Sequence, residues 1–247
     1  MKKYYNLCVD KENGEADLYI FGDITSWRWM ESDVSSYSLS KELESLSDDV
    51  KSINVYINSC GGEVSEALAI RSQLKRHKAK VKTYCDGIAA SAAVTIFMAG
   101  DERIMSNTGL LFIHNAWVET CGDSNKLKKE AEALEKITQA SITAYMEHIN
   151  ISEEELKQML DNETWIAPQE ALEKGFITTI VNEKDTNGAS QSVKKSLIKM
   201  IKEAQAKIKL FEPTKLQEPK QTKEPIVESI ALDSFLNLIR KGEKKWE

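Results

Sequence analysis

Two short apolar runs, Ile53-Asn-Val-Tyr-Ile57 and Val81-Lys-Thr-Tyr-Cys85, flank a stretch with helical periodicity. Each run is short, β-branched and aromatic, as a buried strand is. Between them Val64, Ala67, Leu68, Ile70 and Leu74 fall on one helical face. Strand, helix, strand at this spacing makes a crossover unit with parallel strands. Upstream, Asp17-Leu-Tyr-Ile-Phe-Gly22 reads as a strand ending in a turn, with Glu12-Asn13-Gly14 as a hairpin tip before it, and Ser40–Leu46 as the end of a helix. Downstream, Gly87 is expected to turn the chain and Ala89–Ala99 to form a buried helix of small residues. Arg103–Met105 and Leu110–Ile113 read as short strands, and Asn125–Ile149 as a long charged helix. Glu153–Leu160 is a shorter helix, capped by Ser152 with Glu155 in the reciprocal position. Pro168–Lys174 is a last helix closed by Gly175. The expected class is α/β with a largely parallel sheet.

A chain of 247 residues with 41% hydrophobic and 29% charged residues suits one globular domain plus an appendage. The net charge is −6 and no basic stripe carries interleaved aromatics, which argues against a nucleic-acid partner. Met1–Tyr5 lacks the apolar core of a secretory signal, and the most apolar stretch, Gly87–Gly100, is too short and too small-residued to span a bilayer. Cys8, Cys60, Cys85 and Cys121 are scattered without CxxC spacing, which speaks against a zinc site and for reduced thiols in a cytoplasm. Composition shifts near Asn182. Residues 1–182 are expected to form the domain and 183–247 a C-terminal extension: a polar linker to Gln191, an amphipathic helix over Ser192–Leu210, a proline-bearing mobile stretch over Glu212–Glu224 and a short helix over Ile226–Ile239.

Three strings carry chemistry. In Gly87-Ile-Ala-Ala-Ser91-Ala92-Ala93 a strand, a turn and a helix start would expose the Ser91 hydroxyl beside unpaired helix N–H groups. A serine packed among alanines explains the string equally well. In Ser59-Cys60-Gly61-Gly62-Glu63-Val64 a diglycine between strand and helix can aim backbone N–H groups into a cleft, or simply make a tight turn. In Leu111-Phe-Ile-His114-Asn115 an imidazole stands where an apolar strand leaves the core, suited to taking a proton near neutral pH. His77 closes a basic run and His148 lies in the long helix, so His114 is the candidate base if there is one.

Together with Pro168-Gln-Glu-Ala-Leu-Glu-Lys-Gly-Phe-Ile177, these strings occur in an order that resembles the proteolytic subunit of the Clp protease. The resemblance covers about Asp17 to Val181 and looks closest to the Clp-like proteases of phage and prophage head-assembly modules. The long helix after His-Asn-Ala-Trp117 and the Glu163-Thr-Trp165 string favour that branch. It implies a ClpP/crotonase-like fold of repeated β-β-α units, with the long helix as a protruding handle that joins stacked homo-oligomeric rings. It implies a serine endopeptidase acting on polypeptides, capsid or scaffold proteins among them, in a bacterial cytoplasm, without metal or organic cofactor. The family's cellular members work with an ATP-driven unfoldase, for which no docking string stands out here.

By position, Ser91 matches the nucleophile, His114 the base, and the Gly62 and Ala92 N–H groups the oxyanion hole. Cys60 stands where the family usually has proline. The acidic member falls on Glu163, with Asp161 as the alternative and a solvated acidic loop as the rival explanation of both. A crotonase-type acyl-CoA enzyme and a catalytically silent ring-forming assembly protein are the competing functional readings.

Overall fold

A computed structural model describes residues 7–10, 13–27, 30 and 33–182. The chain divides into two units, Met1–Ser190 and Gln191–Glu247, of which only the first contains described residues. The linker and helices expected in 183–247, and the domain boundary itself, lie outside them.

The element order is β1 (Cys8–Asp10), β2 (Glu15–Ile20), α1 (Ser36–Glu44), β3 (Ser52–Ser59), α2 (Val64–Arg76), β4 (Lys80–Ala90), α3 (Ala92–Phe97), β5 (Glu102–Ser106), β6 (Leu110–Ile113), α4 (Ser124–Met146), α5 (Glu153–Asp161), β7 (Thr164–Ile166), α6 (Pro168–Glu173) and β8 (Thr179–Val181). One mixed sheet runs β1-β2-β3-β4-β5-β8, and β6 pairs both β4 and β7 off that path. β2 through β5 are parallel neighbours, as the alternation of strand and helix requires, while β1 and β7 are antiparallel additions. The α/β class therefore stands.

The core lies where α2 and α3 cover one sheet face. Leu18, Ile20, Val55 and Ile57 belong to one buried cluster with Ala67, Ile70 and Leu74 of α2, all at most 1% exposed. α3 is buried on every side, from Ala92 to Phe97, which a six-residue helix without a charged side chain tolerates. Burying an aromatic such as Phe97 contributes about 2–3 kcal/mol against leaving it in water.

The expectation that Gly87 ends the strand and Ala89 starts the helix is corrected. β4 runs on to Ala90, and the helix begins at Ala92 and ends at Phe97. The reason is a register slip. From Ile57 to Ser59 β3 advances two residues while β4 advances four, from Cys85 to Ala89. The Asn58 side chain fills the gap, accepting the Ile88 N–H at 3.1 Å. A Cβ on Gly87 would lie 2.7 Å from that Asn58 oxygen, so this position takes glycine. Before the bulge β4 pairs with β5, after it with β6.

Arg103 of β5, 5% exposed, forms no ion pair with a carboxylate among the described residues. Its guanidinium donates to the carbonyls of Phe176 (2.9 Å), Gly100 (2.9 Å) and Gly175 (3.4 Å), tying the turn after α3 to the turn after α6. Arg103→Met leaves buried carbonyls unpaired and is expected to lower unfolding stability by about 3 kcal/mol, read as a lower urea midpoint at unchanged slope. Arg103→Lys, without the planar fork, recovers only part of it.

Candidate active site

Three strands end together. In parallel sheets the carboxyl ends of strands form the crevice where ligands bind, and here β3, β4 and β6 deliver the glycine turn, Ser91 and His114 to that edge. The turn after β3 is held rigidly. Ser59 Oγ donates to the Gly22 carbonyl at 2.7 Å and accepts the Gly61 N–H at 3.1 Å. The Ile24 N–H donates to the Gly61 carbonyl at 2.9 Å, and the Glu63 N–H to the Ile24 carbonyl at 2.7 Å. Gly61 and Gly62 take φ of 98° and 143°, a region side chains disfavour. Their lack of Cβ also permits contact. A Cβ on Gly61 would sit 2.6 Å from the Ala90 carbonyl oxygen, 2.8 Å from Ser91 Cβ and 2.9 Å from the Ala92 nitrogen. The glycine turn thus lies directly against the serine and the amide that follows it.

Ser91 has φ 55° and ψ −126°, a left-handed conformation that is strained for a residue with a side chain. Its N–H donates to the Phe112 carbonyl at 2.8 Å, and its carbonyl accepts the Val94 N–H at 3.0 Å. Its hydroxyl makes no hydrogen bond to a described residue. Ala90 is the register partner of Phe112. Ser91 follows that pair by one residue and His114 by two, so the two stand at adjacent strand ends.

His114 is half-buried, its ring 5.4 Å from that of Phe112, which stacks on Trp165 at 4.5 Å. Its Nδ1 lies 2.6 Å from the carbonyl oxygen of Asn115. No carboxylate is bonded to it among the described residues. Asp161 instead accepts the Asn115 side-chain amide at 2.7 Å. Glu163 is exposed and has φ 48°. β7 pairs Thr164 with Ile113, and Glu163 and His114 are the residues next to that last pair. The other histidines lie elsewhere: His77 Nδ1 accepts the Ala79 N–H at 3.1 Å beyond α2, and His148 follows α4 beside Glu147. Burial and the Asp86 charge push the Cys85 thiol up to about 12, leaving it an inert core group beside the site.

Two features had no signal in the sequence. Thr25 and Ser26 clasp the Glu63 carboxylate at 3.0 and 3.1 Å, tying the segment after β2 to the glycine turn. Burial pushes the Glu63 carboxyl up, but these hydrogen bonds outweigh it and hold it below its ordinary range. The Asn115–Asp161 bond is the other, since hydroxyls or amides so distant in the chain leave no spacing to read. The four cysteines are unpaired, and among the described residues no helix is long and apolar enough to cross a membrane.

Comparison with known proteins agrees with this fold. The chain is 30% identical over 137 residues to the ATP-dependent Clp protease proteolytic subunit of Deinococcus radiodurans, across 55% of this chain and 67% of that one. A ClpP1 variant from Listeria monocytogenes shares its fold, with a TM-score of 0.58 and 24% identity over 68% of this chain and 92% of that one. The Clp protease family profile matches residues 29–184, a span that holds all three strand ends. This chain belongs to the Clp protease family.

Proposed function

We propose that the chain is a serine endopeptidase working by acyl transfer, with Ser91 as nucleophile and His114 as general base. The observation that carries this reading is the contact of the glycine turn with a strained serine, one strand end away from an imidazole. Strain of this kind persists where surrounding structure over-determines it, and it clusters at functional sites. As the Ser91 oxygen bonds to a peptide carbonyl carbon, His114 Nε2 takes its proton. The Gly62 and Ala92 N–H groups hold the oxyanion, each such donor contributing on the order of 10²–10³ in rate. The carbon–nitrogen bond breaks, and His114 gives the proton to the leaving amine. Water then attacks the acyl-enzyme, passing a proton through His114 back to Ser91.

Glu163 is our choice for the carboxylate that balances the imidazolium; what supports it is that Glu163 and His114 adjoin the last β6–β7 pair, Ile113 with Thr164. Asp161, the alternative, is already engaged by Asn115. Substrates are polypeptides and the working form is a homo-oligomeric ring. What supports assembly is α4: over 23 residues, about 35 Å at the usual helical rise, its buried residues are only Ile142, Ala144 and Tyr145. Leu127 and Ile137 on its earlier turns are 44% and 39% exposed.

Intact mass after fluorophosphonate treatment tests the chemistry. One adduct is expected on the wild type, none on Ser91→Ala, and labelling slowed by about 10²–10⁴-fold in His114→Ala. An unlabelled wild type overturns the peptidase and leaves a silent assembly protein. Strain makes a second, separable prediction. Ser91→Gly removes the adduct yet raises stability by about 1 kcal/mol, because glycine adopts the left-handed conformation freely. Gly61→Ala does the reverse of a neutral change: the added methyl drives into Ala90, Ser91 and Ala92, and labelling falls by at least tenfold in order of magnitude.

A further inference from the structure

Beyond β6 the segment His114-Asn115-Ala116 is pinned from two sides. The Asn115 side-chain amide donates to Asp161 Oδ1 at the last residue of α5, at 2.7 Å. The Ala116 N–H donates to Thr138 Oγ1 on α4, at 3.0 Å. That N–H and the Asn115 carbonyl belong to one peptide group, which is planar and trans, so the two point in opposite directions. A hydroxyl that captures the N–H therefore sets the direction of the carbonyl. The carbonyl is the group that meets His114 Nδ1, at 2.6 Å.

We propose that the Asn115–Ala116 peptide orients the His114 imidazole, and that Thr138 and Asp161 are positioning residues that fix its plane. The inference rests on the acyl-transfer reading of this site. A carbonyl accepts only from a protonated nitrogen, so it selects the tautomer with hydrogen on Nδ1 and the lone pair on Nε2. That tautomer is the one able to take the Ser91 proton. Asp161 thereby has a role without touching the imidazole: it anchors the Asn115 side chain and so the peptide that follows. Thr138 ties the same peptide to α4, one turn before the buried residues Ile142 and Tyr145 begin. The base is thus oriented by α4 and α5 together, through one peptide group.

The test is the rate of fluorophosphonate labelling at saturating probe, in the full chain. Thr138→Val keeps the side-chain shape and removes the acceptor; it is expected to lower the limiting rate about three- to tenfold without changing the half-saturating probe concentration. Thr138→Ser, which keeps an acceptor, recovers most of the rate. Asp161→Ala falls in the same range and Asp161→Asn, which keeps an acceptor oxygen, loses less. Thr138→Val with Asp161→Ala loses less than the product of the two, because both act on one peptide. In a His114→Ala background Thr138→Val changes nothing further, whereas a change that merely disturbed the strand ends would still slow labelling there. Wild-type labelling by Thr138→Val, or an equal loss in the His114→Ala background, overturns this proposal and leaves the peptidase reading intact. Failure of the wild type to label overturns both.

Discussion

The slip in register between β3 and β4 is the constraint on which the site depends. A strand paired regularly with β3 along its whole length would keep β5 as its other neighbour to the end. The two extra residues that β4 takes between Cys85 and Ala89 carry its last three residues, Ile88 to Ala90, away from β5 and onto β6. Only that exchange sets Ala90 beside Phe112, and hence Ser91 beside the strand that carries His114. The bulge is kept by two complementary choices. Gly87 leaves room, and the Asn58 amide enters it to satisfy the Ile88 N–H that the interrupted ladder abandons. Bulges next to active sites characteristically re-aim a chain in this way.

Past the bulge the chain meets a problem of close approach. The serine must leave a strand, reverse into a helix and expose its hydroxyl, all within one residue. It does so in a left-handed conformation whose cost is on the order of 1–3 kcal/mol. The surroundings hold it there: its N–H is bonded to Phe112, α3 behind it is wholly buried, and Gly61 presses on its Cβ from the front. The backbone of Ala90 and Ala92 borders the same contact, which leaves no room for a side chain on Gly61. Packing, more than the motif itself, makes the hydroxyl available.

These relations explain how far the sequence could be read. The parallel α/β layout was legible because buried strands such as Ile53–Ile57 and helices such as Val64–Leu74 advertise themselves by periodicity. That the diglycine, Ser91 and His114 each follow a strand was legible because apolar runs end just before them. The bulge was not, since a glycine in a run of alanines carries the same signal whether the chain turns early or continues as strand to Ala90. β1, β7 and β8 were missed for a related reason: three residues each hold too little pattern, and their strand character comes from the partner they pair with. β7 matters most of these, because it pairs with β6 up to Ile113, the residue before His114.

The placement of Asp161 and Glu163 was the least legible part of the region, for a physical reason. Two carboxylates lie within three residues, and sequence position alone cannot say which one faces a histidine far away in the chain. Asp161 ends a helix and bonds a side-chain amide, while Glu163 has left the helix and entered the turn before a strand. A carboxylate bonded to an amide has less capacity to approach a neighbouring imidazole than one facing water across a strand pair. The division follows from secondary structure: the carboxylate at the end of α5 bonds the segment beyond β6, while Glu163 stands exposed in the turn before β7. A chain that places its acids at a helix end and a strand start can assign them different duties with only Asn162 between them.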